Sequence, residues 1–324
     1  MNSPVSSGNP FPYSCDNKRY HTLNYHNKAK YGRKVHKAVL ECGFTCPNID
    51  GSRGVGGCIF CDGGSGYFTR PGLSVTEQLS LERNRLSSKF GDDIAIIAYF
   101  QANTNTYTSA GRLGSLIDES LAFPGVTGIS IGTRADCLPD DILDLLESVS
   151  RRTSLTVELG MQSMHDSTIY AVNRCCTHEE FLDGYFRLKN RGIRVCLHLI
   201  NGLPGETPEM MLASACEAAR LRPDGIKLQM LHVIRGTKLA DMYLSGGLEL
   251  LDMESYIRIV TSQLEVLPPE TVIERLTGDG DRSKLIAPLW TANKKSVLNG
   301  IDKLMQTLDT WQGRKFTERN DRLE

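Results

Sequence analysis

The 324-residue chain lacks any apolar run long enough to span a bilayer as a helix, so no membrane-spanning helix is expected. It also lacks a charge excess of one sign. Its 37 Lys and Arg face 38 Asp and Glu, for a net charge of −1. That excludes a globally basic surface advertising a nucleic-acid partner and leaves room only for local basic patches. The polar N-terminal stretch, rich in Pro, Ser and Asn, has no apolar core of the signal-peptide kind. A soluble, cytosolic protein with no membrane partner is the expectation. Cysteine, in contrast, is plentiful at ten. Without an export signal, a disulfide framework is not expected in a chain this long. Four cysteines, Cys42, Cys46, Cys58 and Cys61, crowd together and point to a metal. The scattered remainder (Cys15, Cys137, Cys175, Cys176, Cys196 and Cys216) read mostly as small buried hydrophobes.

Length and a 40% apolar content suit one large α/β domain with a smaller appendage. Continuous apolar runs at residues 34–40, 94–101, 128–132, 155–160, 194–200 and 225–231 predict six strands covered on both faces. Helices fall between them. Ser74 and Glu77 form a capping box that opens a helix to about residue 89, and Thr177 and Glu180 open another to about 191, ended by Gly192. Residues 139–148 make a further helix, and Thr207 before Pro208 starts one that ends near 221. This alternation implies a parallel sheet with right-handed crossovers. No sequence repeat accompanies it, and an open (β/α)6 barrel and a doubly wound sheet both satisfy the pattern. The expected organisation is a polar, loose arm over 1–30, a core over 31–234, a C-terminal extension over 235–312 and a charged tail over 313–324. The extension carries a short strand at 271–276 and a helix at 295–308.

The cysteine segment follows the first strand as Cys46-x11-Cys58-x2-Cys61, with Gly51, Gly54, Gly56 and Gly57 in the gap. Such a loop bends sharply and brings backbone amides close to a bound object, which suits thiolates whose electronics depend on hydrogen bonds to sulfur. Four thiolates, Cys42 included, would close a tetrahedral zinc site. Three, at Cys46, Cys58 and Cys61, would hold a [4Fe–4S] cluster and leave one iron open. The segment by itself admits both. The later strand ends favour the second, because they carry polar residues: Gln101 to Tyr107, Thr133, Arg134 and Asp136, Glu158 and Gln162, and His198 to Gly205. Polar groups at the carboxyl ends of parallel strands converge on one ligand-binding mouth, which a structural zinc knuckle does not require.

Taken together, the cysteine spacing, TNTY (Thr104 to Tyr107), GTRADCL (Gly132 to Leu138), ELGMQS (Glu158 to Ser163), HLINGLPGE (His198 to Glu206), RLTGD (Arg275 to Asp279) and APLW (Ala287 to Trp290) resemble the radical S-adenosylmethionine (SAM) superfamily. Within it, the chain looks like the branch of the Elongator catalytic subunit and the HemN-type enzymes, and most like the bacterial YhcC/YtqA (MnmL) family. The resemblance covers about residues 30–310. It implies a partial (β/α)6 TIM-like barrel of the radical SAM type with a small C-terminal α/β extension. It also implies a [4Fe–4S] cluster on Cys46, Cys58 and Cys61, although the family's commonest spacing is Cys-x3-Cys-x2-Cys. Because Cys42-x3-Cys46 mimics half of that motif, a set with Cys42 in place of Cys46 stays open.

The same resemblance assigns SAM contacts. Phe60, before the last cysteine, would lie near the adenine. The usual Gly-Gly-Glu is missing, so Gln101 to Asn105 would hold the methionine amino group. Glu158 would accept from SAM hydroxyl or amino groups and Gln162 would bind the ribose. Arg174 would pair with the SAM carboxylate, with Arg134 as a rival. His198 would reach SAM or substrate. The implied chemistry is one-electron reduction of SAM, with a donor such as flavodoxin or ferredoxin, to methionine and a 5′-deoxyadenosyl radical. The Elongator likeness implies tRNA wobble uridine as substrate. A basic arm of Lys18, Arg19, Lys28, Lys30, Arg33, Lys34 and Lys37 interleaved with Tyr20, Tyr25 and Tyr31 agrees with RNA. Two other readings stand beside it: a radical SAM reaction on a small molecule such as a porphyrinogen, and a zinc-stabilised binding module.

Overall fold

The computed structural model describes residues 9–63, 70–278 and 280–317. The first eight residues of the arm, Asp279 of RLTGD and the end of the charged tail lie outside the described residues. In chain order the elements are α1 (Leu23–Tyr31), β1 (Lys34–Leu40), α2 (Val75–Phe90), β2 (Ile94–Phe100), α3 (Ala110–Ala122), β3 (Val126–Thr133), α4 (Asp140–Arg152), β4 (Ser154–Gln162), α5 (Asp166–Ala171), α6 (His178–Asn190), β5 (Arg194–Asn201), α7 (Pro208–Leu221), β6 (Gly225–Met230), β7 (Val233–Ile234), α8 (Lys238–Leu244), α9 (Met253–Val266), β8 (Val272–Arg275), β9 (Leu285–Ala287) and α10 (Lys294–Thr307). Among the described residues no helix is long and apolar enough to cross a membrane.

Seven strands form one sheet in the order β1-β2-β3-β4-β5-β6-β8, and β7 pairs antiparallel with β9. The pairs β1–β2, β2–β3, β3–β4 and β6–β8 are parallel. The order follows the chain without reversal, whereas a doubly wound sheet reverses at a switch point. With β1 and β8 at its two edges, the sheet is the open, curled kind of a partial TIM barrel. Local sequence explains the elements. β2 is apolar on both faces and buried along its length apart from half-exposed Ile97. Both capping boxes form, Ser74 with Glu77 and Thr177 with Glu180, and Thr207 caps α7 ahead of Pro208.

The chain divides into two compact units, one of residues 27–160 and 173–196 and the other of residues up to 26, 161–172 and from 197 onward. In the first, three strands aim polar groups at Glu158 of β4, whose side chain is fully buried. Its Oε1 accepts from Lys37 Nζ at 2.5 Å and Ser130 Oγ at 2.7 Å, and its Oε2 from Tyr99 Oη at 2.7 Å. A carboxylate this deep is tolerated because it is paired and hydrogen-bonded. Also in this unit, α6 lies so close to the chain after β3 that a Cβ on Gly184 would stand 2.3 Å from the Ala135 carbonyl oxygen.

In the second unit, the buried Tyr256 hydroxyl bonds to the carbonyls of Leu228 (3.2 Å) and Leu276 (3.1 Å), tying α9 to β6 and the end of β8. The stretch read as a loose arm is ordered where it is described. Phe11, Tyr20 and His21 are buried, and the His21 amide donates to Gln312 Oε1 at 2.9 Å. Its interleaved aromatics supply the apolar surface that polar composition concealed.

Two substitutions test this packing by urea denaturation. Gly184→Ala is expected to lower stability by about 1–3 kcal/mol, because the clash is with backbone. Glu158→Gln leaves the Lys37 ammonium without its carboxylate and is expected to lower stability by about 3 kcal/mol. An unshifted midpoint in either variant would contradict the packing described.

Candidate functional site

The loop after β1 is built by its own backbone. The Cys46 carbonyl accepts from the amides of Ile49 (2.8 Å) and Asp50 (3.1 Å), and the Pro47 carbonyl from Arg53 (2.8 Å) and Gly54 (3.2 Å). Asp50 then bridges to Val55, and the Gly57 amide returns to the Asn48 carbonyl at 2.7 Å. Gly57 has φ 73°, a left-handed conformation that favours glycine. A tight turn with Cys61 N to Cys58 O at 2.9 Å closes the second cysteine pair. Gly54 has to be glycine for space, since a Cβ there would stand 2.1 Å from Asn48 Oδ1 and 2.7 Å from Cys175 Sγ.

Across these turns the Cys61 thiol feels the charge of Cys58 and Cys46. Loss of solvent around the sulfur pushes the Cys61 thiol up to about 11, although the residue keeps an exposed edge, and negative charge on Cys58, Asp62 and Cys46 pushes the same way. Cys42 answers to a different neighbourhood. Burial, then Glu119, raises its thiol to about 12, and its carbonyl accepts from Arg112 Nη2 at 2.9 Å. Among the described residues no three His, Cys, Asp or Glu side chains are drawn tightly enough to hold a single metal ion. A cube of four irons spreads its thiolates more widely than one tetrahedral ion does, and a glycine-rich loop carrying three cysteines suits it. Of the scattered cysteines, Cys137, Cys176 and Cys196 are buried as expected, whereas Cys15 and Cys216 are exposed.

Around the loop, polar residues serve as struts. Asn103 Nδ2 donates to the Phe44 carbonyl (2.8 Å), the Thr104 amide to Thr45 (3.1 Å) and Asn105 Nδ2 to Gly132 (2.8 Å). TNTY thus joins the cysteine loop to the end of β3. Gln101 is half-buried, with its amide on the Leu40 carbonyl at 3.2 Å. Arg134 makes four hydrogen bonds: two to the Asp136 carboxylate (2.8 and 2.7 Å) and one each to the carbonyls of Arg174 (2.8 Å) and Cys175 (2.9 Å). Burial acts to raise the Asp136 carboxyl, but Arg134, Arg174 and Arg53 outweigh it and hold the group below the usual carboxylate range. The rival for the SAM carboxylate is therefore engaged in supporting the 174–175 turn. Arg174 itself is buried and donates from Nη2 to the Gly160 carbonyl at 2.6 Å.

Glu158, as described, is saturated by β1, β2 and β3, so sequence reasoning missed its partners Lys37, Tyr99 and Ser130. Phe60 is half-buried beside buried Ile59. A cleft of ≈1080 Å³ opens next to the loop, lined by Ser52, Arg53, Tyr107, Asp136 and Glu180 among others, and Arg53 pairs there with Glu180 and, at 3.6 Å, with Asp136.

In the other unit, Gln162 ends β4 with φ 66°, a left-handed conformation uncommon for a non-glycine residue. Its Oε1 is buried without a hydrogen-bond partner. An orphaned buried acceptor of this kind calls for a donor from outside the chain, and a ribose hydroxyl is one. His198 is half-buried with Nδ1 at 3.5 Å from Gln229 Nε2.

Comparison with known proteins agrees with this architecture. The Radical SAM superfamily domain matches residues 49–215, which takes in Cys58 and Cys61 and starts just past Cys46, and the Radical SAM C-terminal domain matches residues 223–307. The chain is 44% identical to YtqA of Bacillus subtilis over 315 residues, 96% of this chain and 97% of that one. It is 34% identical to YhcC of Escherichia coli K12 over 278 residues, 85% of this chain and 89% of that one. The structure of Elp3 from the archaeon Methanocaldococcus infernus shares the fold, with a TM-score of 0.66 at 16% identity, over 86% of this chain and 64% of that one. The match favours iron–sulfur over zinc for the cysteine loop: this chain belongs to the radical SAM superfamily and is an enzyme of that class, using a [4Fe–4S] cluster and SAM.

Proposed function

We propose that Cys46, Cys58 and Cys61 hold the cluster, and that the enzyme acts on a tRNA wobble uridine with an electron from a donor such as flavodoxin or ferredoxin. The observation that carries the ligand set is the placing of all three cysteines on one glycine-rich loop that its own backbone hydrogen bonds fold, with the Cys42 carbonyl held by Arg112 instead. When bound, the cluster supplies one electron to the SAM sulfonium, yielding methionine and a 5′-deoxyadenosyl radical. The chain's own residues seat the reactants. Gln162 Oε1 would accept from the ribose, Phe60 would lie on the adenine, and Arg174 would face the SAM carboxylate. Gln101 would hold the methionine amino group and His198 would reach SAM or substrate, while Glu158 acts by fixing Lys37, Tyr99 and Ser130.

The tRNA assignment rests on the likeness to the Elongator catalytic subunit, whose bovine protein is 30% identical over 156 residues, 47% of this chain and 28% of that one. The basic arm supports it less than its composition suggests. Lys18 and Arg19 pair with Asp302 and Asp309, Lys37 with Glu158, and Lys30 donates to Ser154 at 2.7 Å.

Alanine at Cys46, Cys58 or Cys61 is expected to abolish bound iron after anaerobic reconstitution, while Cys42→Ala keeps it. Iron retained without Cys46 but lost without Cys42 would overturn the ligand set. For the substrate, nucleoside analysis of tRNA from a deletion strain is expected to show accumulation of a wobble-uridine precursor. An unaltered profile would refute the tRNA reading.

A further inference from the structure

Asn48 stands two residues after Cys46 and is wholly buried. Its Nδ2 lies 3.6 Å from Cys58 Sγ and donates a second, shorter bond to the Asn173 carbonyl. Both partners accept, and a metal-ligating Cys58 is a thiolate, so the nitrogen end of the amide has to face them. The oxygen end points the other way, buried and without a hydrogen-bond partner, against the backbone of Gly54. A stranded buried acceptor is unfavourable. Its retention points to a use for the N–H side that outweighs it. Asn173 completes the frame from the opposite wall. Its backbone is left-handed at φ 53°, and its Nδ2 donates to the carbonyls of Val55 (3.1 Å) and Gly57 (2.8 Å). The two asparagines thereby latch the cysteine loop to the 173–175 turn.

We propose that Asn48 is a positioning residue that raises the reduction potential of the cluster through its hydrogen bond to the Cys58 sulfur. One electron arrives from the one-electron donor and adds negative charge to the cluster and its thiolates. An N–H donor on sulfur stabilises that charge, and no proton is transferred. The inference rests on Cys58 being a ligand, which the iron content of Cys58→Ala tests separately.

The experiment is a redox titration of the reconstituted protein, followed by electron paramagnetic resonance, for wild type and Asn48→Ala. At a fixed solution potential the ratio of reduced to oxidised cluster is expected to fall about tenfold in the variant, about 59 mV for a one-electron couple. The g values of the reduced cluster are expected to move as well. A lower iron content with an unchanged midpoint would make Asn48 a latch only and overturn the proposal. As a control, Asn173→Gly keeps the carbonyl that Asn48 uses and removes the bonds to Val55 and Gly57. It is expected to lose iron faster at an unaltered potential, and an equal drop in potential would also overturn the proposal. Should Asn48→Ala fail to fold, wild-type protein labelled with 15N at asparagine side chains decides. Electron–nuclear double resonance of its reduced cluster is expected to show a 15N coupling, and absence of that coupling would refute the hydrogen bond.

Discussion

Three thiols on one loop have to keep their spacing although the segment from Cys46 to Cys61 contains no helix and no extended strand. A loop of that kind does not hold itself; it is held by polar bonds that are expensive to break once buried. Each nets only about 1 kcal/mol when made but exposes a stranded donor or acceptor when lost. The bonds form a chain. Arg134, braced by Asp136, holds the carbonyls of residues 174 and 175, and the preceding Asn173 holds the carbonyls of Val55 and Gly57. Asn48 returns the grip from inside the loop.

Below that loop, the strands that carry it are fixed by an internal charge network rather than by apolar packing alone. Glu158 collects a lysine, a tyrosine and a serine from three neighbouring strands. Such a network is sensitive to any change of its members, and it ties together β1 to β4, whose carboxyl ends position the loops. Gln162 stands outside this network: its Oε1 is buried and unpartnered on a residue in left-handed conformation.

Much of the fold was legible because its signals are local. The six apolar runs became β1 to β6 with ends shifted by a residue or two, and both capping boxes opened helices. The helices α3 and α9 escaped notice because their caps, Ser109 and Asp252, have Arg112 and Ser255 at the third position instead of a reciprocating Glu or Gln. Strand order was not legible, since alternation alone does not encode it, and the choice between barrel and doubly wound sheet waited for the pairing. At the site, the cysteines announced themselves by chemistry. Their supports did not: Asn48 and Asn173 are neutral amides whose roles depend on contacts far along the chain. Arg134 looked available for a carboxylate ligand, and only the folded geometry shows its fork on Asp136 two residues away.

The most direct measurement is single-turnover SAM cleavage by anaerobically purified, iron-loaded protein reduced with dithionite. The account predicts brown protein that releases 5′-deoxyadenosine and methionine in equal amounts. Colourless protein carrying one zinc and leaving SAM intact would contradict it.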